Sequence, residues 1–216
     1  MQVKLISHSK ADIKGLDKVQ DLIAFSARVS NPNNQFNNET AEKLIRYLIK
    51  HKHWSPLEMV SACMEISTTR DIARQILRHR SFSFQEFSQR YSNPTKDLKF
   101  ELREARLQDK DNRQSSIKSN NERVNNNWIA YQQKVIETST EAYDWAINNG
   151  IAKEQARAVL PEGLMESRMY MNGTLRSWIH YIELRSGIDT QKEHRQIAIA
   201  CALEIGKILP LVWLVS

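Results

Sequence analysis

Cysteines, secretion signals and long apolar runs are scarce or missing in this chain of 216 residues. Its two cysteines, Cys63 and Cys201, lie far apart and form no C-x-x-C motif, which argues against a disulfide framework and against zinc or redox chemistry. The first residues, "MQVKLISHSK", lack the apolar core of a signal peptide, and no apolar run approaches the roughly 18 residues of a membrane span. These absences predict a soluble, cytoplasmic protein without a membrane partner.

A glycine-rich phosphate loop is also missing, because none follows a candidate strand. A Rossmann or P-loop nucleotide site is therefore not expected. The formal net charge of +6 and the isoelectric point near 9.3 nevertheless suit phosphate-bearing partners, either nucleotides or nucleic acid. A soluble basic protein without such partners would show the same excess of positive charge. The length fits one domain that spans residues 1–216.

Strand and helix patterns mix along the chain without the regular alternation of a doubly wound fold, which indicates an α+β protein. Alternating apolar residues predict strands at Val3–His8 and Glu58–Ser67. A stripe from Trp128 to Trp145 at helical spacing predicts a long amphipathic helix. Further helices are predicted over 16–30, 41–49, 68–80, 152–159, 175–182 and 197–208. The polar residues 109–127 are predicted to form a mobile loop.

The stretch "RQILRHRSFSFQEFSQRYS", residues 74–92, carries the most chemistry. Successive helix residues diverge by about 100°, so the three residues of Arg78-His79-Arg80 fit a helix end better than a helix interior. If the chain is extended over Gln85–Tyr91, then Glu86, Ser88 and Arg90 project to one side. Guanidinium forks and a hydroxyl in this arrangement predict a phosphate-binding pocket.

Two other interpretations of this stretch remain open from spacing alone. A surface cluster of ion pairs explains the charges about as well. A nucleic-acid-binding patch is the other alternative, in which aromatic side chains would stack on bases. The aromatic candidates are Phe82, Phe84, Phe87 and Tyr91.

Four segments carry a resemblance to a known family. After Arg78-His79-Arg80, the serines Ser83 and Ser88 and then Arg90 follow the spacing R-H-R, short spacer, S-x-x-x-x-S-x-R, by which the chain resembles the flavin-dependent thymidylate synthases. "HKHWSPLE" is similar to that family's H-x-H-x-[ST]-P-x-E segment, "ARAVLPEG" to its A-R-x-x-L-P segment, and "GTLRSWIHYIELR" to its segment ending in L-R. The resemblance covers most of the chain.

The resemblance implies an α+β fold with a central, mostly antiparallel sheet flanked by helices, assembled as a homotetramer that holds flavin between subunits. It implies methylation of dUMP to dTMP with methylenetetrahydrofolate as carbon donor and with FAD, reduced by NADPH, as hydride source. The partners would be small molecules rather than nucleic acid.

The same resemblance implies roles for individual residues. By position, FAD and the neighbouring folate region would be contacted by Ser55, Arg78, His79, Arg80, Glu86, Thr174, Leu175, Arg176, His180 and His53. The dUMP site would comprise Gln75, Arg78, Glu86, Phe87, Ser88, Gln89, Arg90, Arg157 and Arg185. Arg185 would contact the uracil ring and polarise it, which makes it the expected catalytic residue.

Nucleophile and metal chemistry receive little support from the residues themselves. Cys63 lies in an apolar strand pattern and Cys201 on an apolar helix stripe, where thiols are usually inert. Ser88 has no evident partner base, so phosphate binding is its expected role. His51 and His53 lack a third ligand at matching spacing, and no metal is expected. A hydride delivered from flavin to C6 of uracil, as the resemblance implies, would make sulfur attack unnecessary.

Overall fold

The computed structural model describes residues 1–210. Its strands are β1 Gln2–His8, β2 Ser61–Thr69, β3 Ser83–Glu86, β4 Arg106–Gln108, β5 Ser116–Lys118 and β6 Glu166–Thr174. Its helices are α1 Val19–Ala27, α2 Ala41–Lys50, α3 Arg70–Ile76, α4 Pro94–Asp97, α5 Glu122–Asn148, α6 Lys153–Ala156, α7 Leu175–Arg185 and α8 Lys192–Gly206. Single 3₁₀ turns lie at Pro32–Asn34, Ser55–Met59 and Arg157–Val159.

A four-stranded antiparallel sheet in the order β1-β2-β6-β3 forms the centre of the fold. Strands β2 and β6 pair over their whole lengths, from Ser61 opposite Thr174 to Thr69 opposite Glu166. The alternation expected from the sequence is observed on β2, because Ala62, Met64 and Ile66 are all buried while the residues between them are half-buried. The α+β class with an antiparallel sheet flanked by helices is confirmed.

Helices cover the inner face of this sheet. α3, α7 and α8 contribute to one apolar core with β2 and β6, and Trp178 and Tyr181 are its largest buried aromatic side chains. α1 and α2 pack against each other, and the 3₁₀ turn at Ser55–Met59 lies between α1 and α7. No helix within residues 1–210 combines the length and the apolar character needed to cross a membrane.

The long helix predicted from the stripe between Trp128 and Trp145 is observed as α5, which begins six residues earlier at Glu122, but its apolar stripe does not face the core of this chain. Trp128, Tyr131 and Trp145 are exposed, the last with 63% of its surface accessible. The buried side of α5 instead carries Tyr143 and Ala146, which pack in a small second cluster with Ala156, Leu160 and Met165. The apolar stripe is therefore available to another surface.

Two local expectations are wrong in detail. Residues 109–127 do not form one mobile loop. Strand β4 precedes this segment, β5 lies within it, and the two strands pair as a hairpin. Helix α5 already begins at Glu122. Asn121 caps α5, since its Oδ1 accepts a hydrogen bond from the Val124 N–H at 3.2 Å. The extended chain expected over Gln85–Tyr91 ends after Glu86, where a turn replaces the strand.

Candidate active site

The candidate site lies where the C-terminal ends of helices α3 and α7 approach each other. α3 begins at the residue after β2 ends, and α7 begins at the residue after β6 ends. Because β2 and β6 are antiparallel, the two helices start at opposite ends of the sheet and run back over the same face. Thr174 caps α7, since its Oγ1 accepts from the Ser177 N–H at 3.3 Å. This geometry brings residues that follow α3 close to the last residue of α7.

Arg185 and His79 meet at this point. The Arg185 Nε–H donates to His79 Nε2 at 3.0 Å, so this imidazole nitrogen acts as an acceptor. Burial, followed by the charges of Arg185 and Arg78, lowers the pKa of His79 to about 4, which keeps the ring neutral at physiological pH. Arg185 forms no ion pair with any carboxylate in residues 1–210, so its charge is held in place without being neutralised.

His194 extends this group from the other side. Its ring is 1% exposed, and Nδ1 lies 3.2 Å from the amide oxygen of Gln75. Burial first, then the charge of Arg185, lowers the pKa of His194 to about 4, so the neutral ring donates from Nδ1. The Gln75 amide N–H in turn donates to Gln191 Oε1 at 2.8 Å. We call Gln75, His79, Arg185 and His194 the histidine centre.

Aromatic rings form the inner wall of the histidine centre. The His79 ring centroid lies 4.9 Å from that of Tyr181, and Phe82 packs 4.8 Å from Trp178. A Cβ atom on Gly173 would lie only 2.4 Å from the Phe82 ring, so this position of β6 requires glycine. Because Phe82 belongs to the core, it does not serve as an exposed stacking platform for bases.

A second group of polar residues surrounds a cavity of about 260 Å³, which we call the arginine cavity. Its polar lining residues are Arg70, Arg74, Gln89, Arg157 and Glu162. Arg74 and Glu162 form a two-pronged ion pair, with Arg74 Nε donating to Glu162 Oε2 at 2.7 Å and Nη2 donating to Oε1. The hydrogen bonds from Arg74 lower the pKa of Glu162, which is therefore ionised at neutral pH.

Glu86 lies beside this cavity at the end of β3. The Ser167 hydroxyl donates to Glu86 Oε1 at 2.7 Å, and Arg70 Nη1 lies 3.5 Å from the same oxygen. The Arg70 side chain is only 11% exposed, and its Nη1 has no hydrogen-bond partner among residues 1–210. A buried guanidinium N–H without a partner is costly, so this atom is a ready donor for an anion.

The turn after β3 separates the residues that the sequence placed on one strand face. The Ser88 carbonyl accepts from the N–H groups of Tyr91 and Ser92, both at 3.2 Å. Glu86, Ser88 and Arg90 consequently do not project to the same side of a strand. Arg90 is exposed and lies 5.9 Å above the Tyr91 ring, whereas Gln89 turns inward and lines the arginine cavity.

The other residues assigned to flavin by resemblance lie near the start of α7 and the 3₁₀ turn before β2. His180 packs edge-on against Trp54 with ring centroids 4.5 Å apart, and Arg176 pairs with Glu58. Ser55 opens the 3₁₀ turn, and His53 lies just before it. The side chain of Leu175 is fully buried in the core, so a ligand could meet this residue only through its main chain.

Arg78 and Arg80 are exposed after the end of α3, as expected from their spacing. Neither side chain forms an ion pair within residues 1–210, and Phe87 is held by its main chain, whose N–H donates to the Arg168 carbonyl at 2.8 Å. Nor do the described residues contain a group of three His, Cys, Asp or Glu side chains that could hold a metal ion. The rings of His51 and His53 lie 6.3 Å apart.

Sequence reasoning missed four residues that the structure places in these groups. Arg70, Arg74, Glu162 and His194 were not assigned a role, although Arg74 lies in the stretch with the most charge. Arg74 meets Glu162 across 88 positions, and His194 meets Gln75 across 119 positions. No local spacing signals such contacts. The one available clue was the position of His194, a histidine close to the apolar stripe of the last helix.

The antiparallel sheet, the histidine centre and the arginine cavity together define an α+β protein equipped to bind a small anionic molecule. The chain belongs to the thymidylate synthase complementing protein family, whose model matches residues 5–211.

Curated relatives and solved structures agree with this assignment. The chain is 48% identical over 201 residues to a protein of Paramecium bursaria Chlorella virus 1 named "Probable flavin-dependent thymidylate synthase", covering 93% of this chain and 92% of that protein. It is 47% identical over 216 residues to the flavin-dependent thymidylate synthase of Synechocystis sp., covering 98% and 97% of the two chains. Its fold is similar to the UMP/dUMP methylase PolB from Streptomyces cacaoi bound with 5-Br dUMP, with a TM-score of 0.79, 24% identity and coverage of 98% and 92%.

Proposed function

We propose that this chain is a flavin-dependent thymidylate synthase, which converts dUMP to dTMP with methylenetetrahydrofolate as carbon donor. FAD, reduced by NADPH, supplies the hydride when it is bound. The relatives that are almost half identical over nearly the whole chain support the reaction class. For this chain, the main supporting observation is the pairing of Arg185 with a neutral histidine, because this pairing leaves the charge of the guanidinium uncompensated by a carboxylate.

The substrate dUMP has two parts that suit the two polar groups. A phosphate monoester fits the arginine cavity, where Gln89 and Arg157 supply donors. The uracil ring would then lie toward Gln75 and Arg185 in the histidine centre. The remaining residues proposed for dUMP, namely Arg78, Glu86, Phe87, Ser88 and Arg90, lie on the segment that borders both groups.

Arg185 is proposed to act on the ring rather than on the phosphate. Methylation requires C5 of uracil to become nucleophilic, which places negative charge on the ring and its carbonyl oxygens. A guanidinium fixed at the ring stabilises that charge better than water does, because it is already oriented. His79 contributes by holding Arg185 through a neutral acceptor, so that no carboxylate cancels the charge.

Neither cysteine is suited to attack the uracil ring. Cys201 is completely buried, and burial raises the pKa of its thiol far above the usual value. Cys63 lies on the opposite face of β2 from the core, and burial raises the pKa of its thiol as well. Thiols that stay protonated are poor nucleophiles. We therefore expect the Cys63→Ser variant to retain activity within about twofold, measured as dTMP formation.

The residues proposed for FAD fit the chemistry of that cofactor. Arg78 and Arg80 are exposed cations without ion pairs in residues 1–210, and a pyrophosphate requires such donors. His180, in the middle of α7, and Trp54 present an aromatic edge, and Thr174 and Arg176 lie at the start of the same helix. His53, Ser55, His79, Glu86 and the main chain of Leu175 complete the proposed set.

Assembly as a homotetramer is the remaining part of the proposal. The apolar stripe of α5 with Trp128, Tyr131 and Trp145 is exposed in the single chain. The sheet also has an outer face on which Ile6 and Tyr170 are accessible. Large exposed apolar surfaces are typical of sites where subunits meet. Size-exclusion chromatography with light scattering should give four times the chain mass of 25.1 kDa.

Release of tritium from dUMP labelled at C5 tests the activity directly. We expect release that requires NADPH, methylenetetrahydrofolate and the yellow, flavin-loaded protein together. A protein that stays colourless after incubation with FAD and releases no tritium would contradict the proposal. Binding that weakens steeply with salt, without flavin absorbance, would instead favour the nucleic-acid alternative.

A further inference from the structure

The carboxylate of Glu162 occupies the donors that a phosphate in the arginine cavity would use. Both of its oxygens pair with Arg74, and Oε1 also lies 3.7 Å from Arg70 Nε. Carboxylate and phosphate bind the guanidinium fork in the same two-pronged way, so they compete for it. We propose that Glu162 is an internal competitor of the substrate phosphate and sets the affinity of the enzyme for phosphate-bearing ligands. This inference rests on the proposed function for its ligand, dUMP.

The pair between Glu162 and Arg74 is of a kind that a ligand can open. The two side chains are 45% and 56% exposed, and exposed ion pairs contribute little net free energy because water solvates the separated charges well. The main chain at this position is anchored, since the Asp71 N–H donates to the Glu162 carbonyl at 3.2 Å. The carboxylate can therefore rotate away while the backbone of the cavity wall stays in place.

The other guanidinium groups of the cavity are less occupied. Arg70 Nη1 meets no hydrogen-bond partner in the described chain and lies 3.5 Å from Glu86 Oε1, a longer contact than those between Arg74 and Glu162. Arg157 donates from Nε only to the carbonyl of Glu154 at 3.3 Å. A phosphate dianion can address Arg70, Arg74 and Arg157 together, whereas Glu162 brings a single negative charge. The competitor is consequently displaced by a dianionic phosphate more readily than by a ligand with a single negative charge.

Calorimetric titration of the flavin-loaded, full-length protein can measure this competition. Three ligands are compared, namely dUMP, deoxyuridine and inorganic phosphate. In the Glu162→Gln variant we expect dUMP and inorganic phosphate to bind about 2- to 5-fold more tightly, which matches the loss of one exposed ion pair. Deoxyuridine, which lacks the phosphate, should bind with unchanged affinity.

Glu154→Gln is the matched control, because it removes the same charge from an exposed residue three positions before Arg157. It should leave the affinity for dUMP within experimental error, since its carboxylate forms no ion pair in residues 1–210. Equal tightening in both variants would overturn the proposal, because a general change of charge would then explain the effect. A Glu162→Gln variant with unchanged or weaker dUMP binding would also overturn it and would make Glu162 a residue that orients Arg74.

A Glu162→Ala variant checks that the result does not depend on the glutamine amide, and thermal melting confirms that both variants are folded. We expect Glu162→Ala to tighten phosphate binding to the same extent as Glu162→Gln. If it does not, the result would count against competition between Glu162 and phosphate. Failure of the proposed function is visible separately, as an unmodified protein that releases no tritium and does not bind dUMP. The inorganic phosphate titration still tests the competition in that case.

Discussion

The histidine centre and the arginine cavity hold their arginines in opposite ways. In the histidine centre, Arg185 is half-buried and held by the uncharged His79. In the arginine cavity, Arg74 is exposed and held by the carboxylate of Glu162. The first arrangement keeps a full positive charge available for a ligand, whereas the second neutralises the charge until something displaces the carboxylate.

The number of arginines near a site therefore does not by itself measure how strongly the site attracts an anion. What matters is the partner of each guanidinium and how much water surrounds the pair. A neutral acceptor fixes the geometry without cancelling the charge, but it requires burial to keep the histidine unprotonated. Substitutions that alter either the histidine centre or the arginine cavity can test this difference.

Removal of Arg185 should have the largest effect. We expect Arg185→Ala to lower kcat for dTMP formation by about 100- to 1,000-fold, because an oriented donor to the developing charge is lost. The variant should still bind FAD, which the flavin absorbance measures. Arg185→Lys keeps the charge but not the Nε–H that donates to His79, so its loss of kcat should be intermediate. Normal turnover by Arg185→Ala would refute the role of this residue on the ring.

Acidification should affect the histidine centre more than the arginine cavity. The pKa values of His79 and His194 are both lowered to about 4, so the unfolded chain takes up protons below pH about 6.5 that the folded chain does not. Stability should therefore fall as pH drops from 6.5 toward 4, by up to about 1.4 kcal/mol per pH unit for each histidine.

The His194→Gln variant isolates one of these contributions. Its amide can donate to Gln75 but has no proton to gain in this range, so urea unfolding between pH 6.5 and 4.5 should show a shallower loss of stability. His8→Gln, at an exposed histidine, is the control and should leave the slope unchanged. If His194→Gln retains the full slope, then the buried ring is not the source of the pH dependence.

The smallest effect is expected from the exposed pair. Arg74→Ala should lower the free energy of unfolding by less than about 1 kcal/mol, because the ion pair with Glu162 is mostly solvated. Thermal or urea unfolding at low and high salt measures this change. A loss above about 2 kcal/mol would show that the pair of Arg74 and Glu162 stabilises the fold substantially. The arginine cavity would then no longer differ from the histidine centre in this respect.

Much of the sheet region could be predicted from local patterns. The alternation along β2 and the helical stripe of α7 each describe which side of an element is apolar, and in both cases that side meets the core. The placement of Arg78-His79-Arg80 at a helix end rather than in a helix interior was also predicted, because three successive residues diverge within a helix, although α3 ends at Ile76 rather than at residue 80. These properties depend on residues close together in the sequence.

The remaining features depend on contacts that periodicity does not specify. The stripe on α5 is apolar, but the pattern does not tell whether it meets the core of its own chain or another surface, and here it is exposed. Glu162 and His194 gain their roles from partners 88 and 119 positions away. The turn at Ser88 is set by main-chain hydrogen bonds that no residue type in the stretch requires.

In β2–α3 and β6–α7 the helix follows the strand directly, so the lengths of the strands set the distance between the two helix ends. Nine-residue strands extend about 30 Å at roughly 3.4 Å per residue, and helices of seven and eleven residues returning from the two ends span about 27 Å together. The meeting of His79 with Arg185 thus depends on matched lengths. Two residues inserted into each strand would keep every side chain on its proper face, yet would draw this pair apart by about 7 Å.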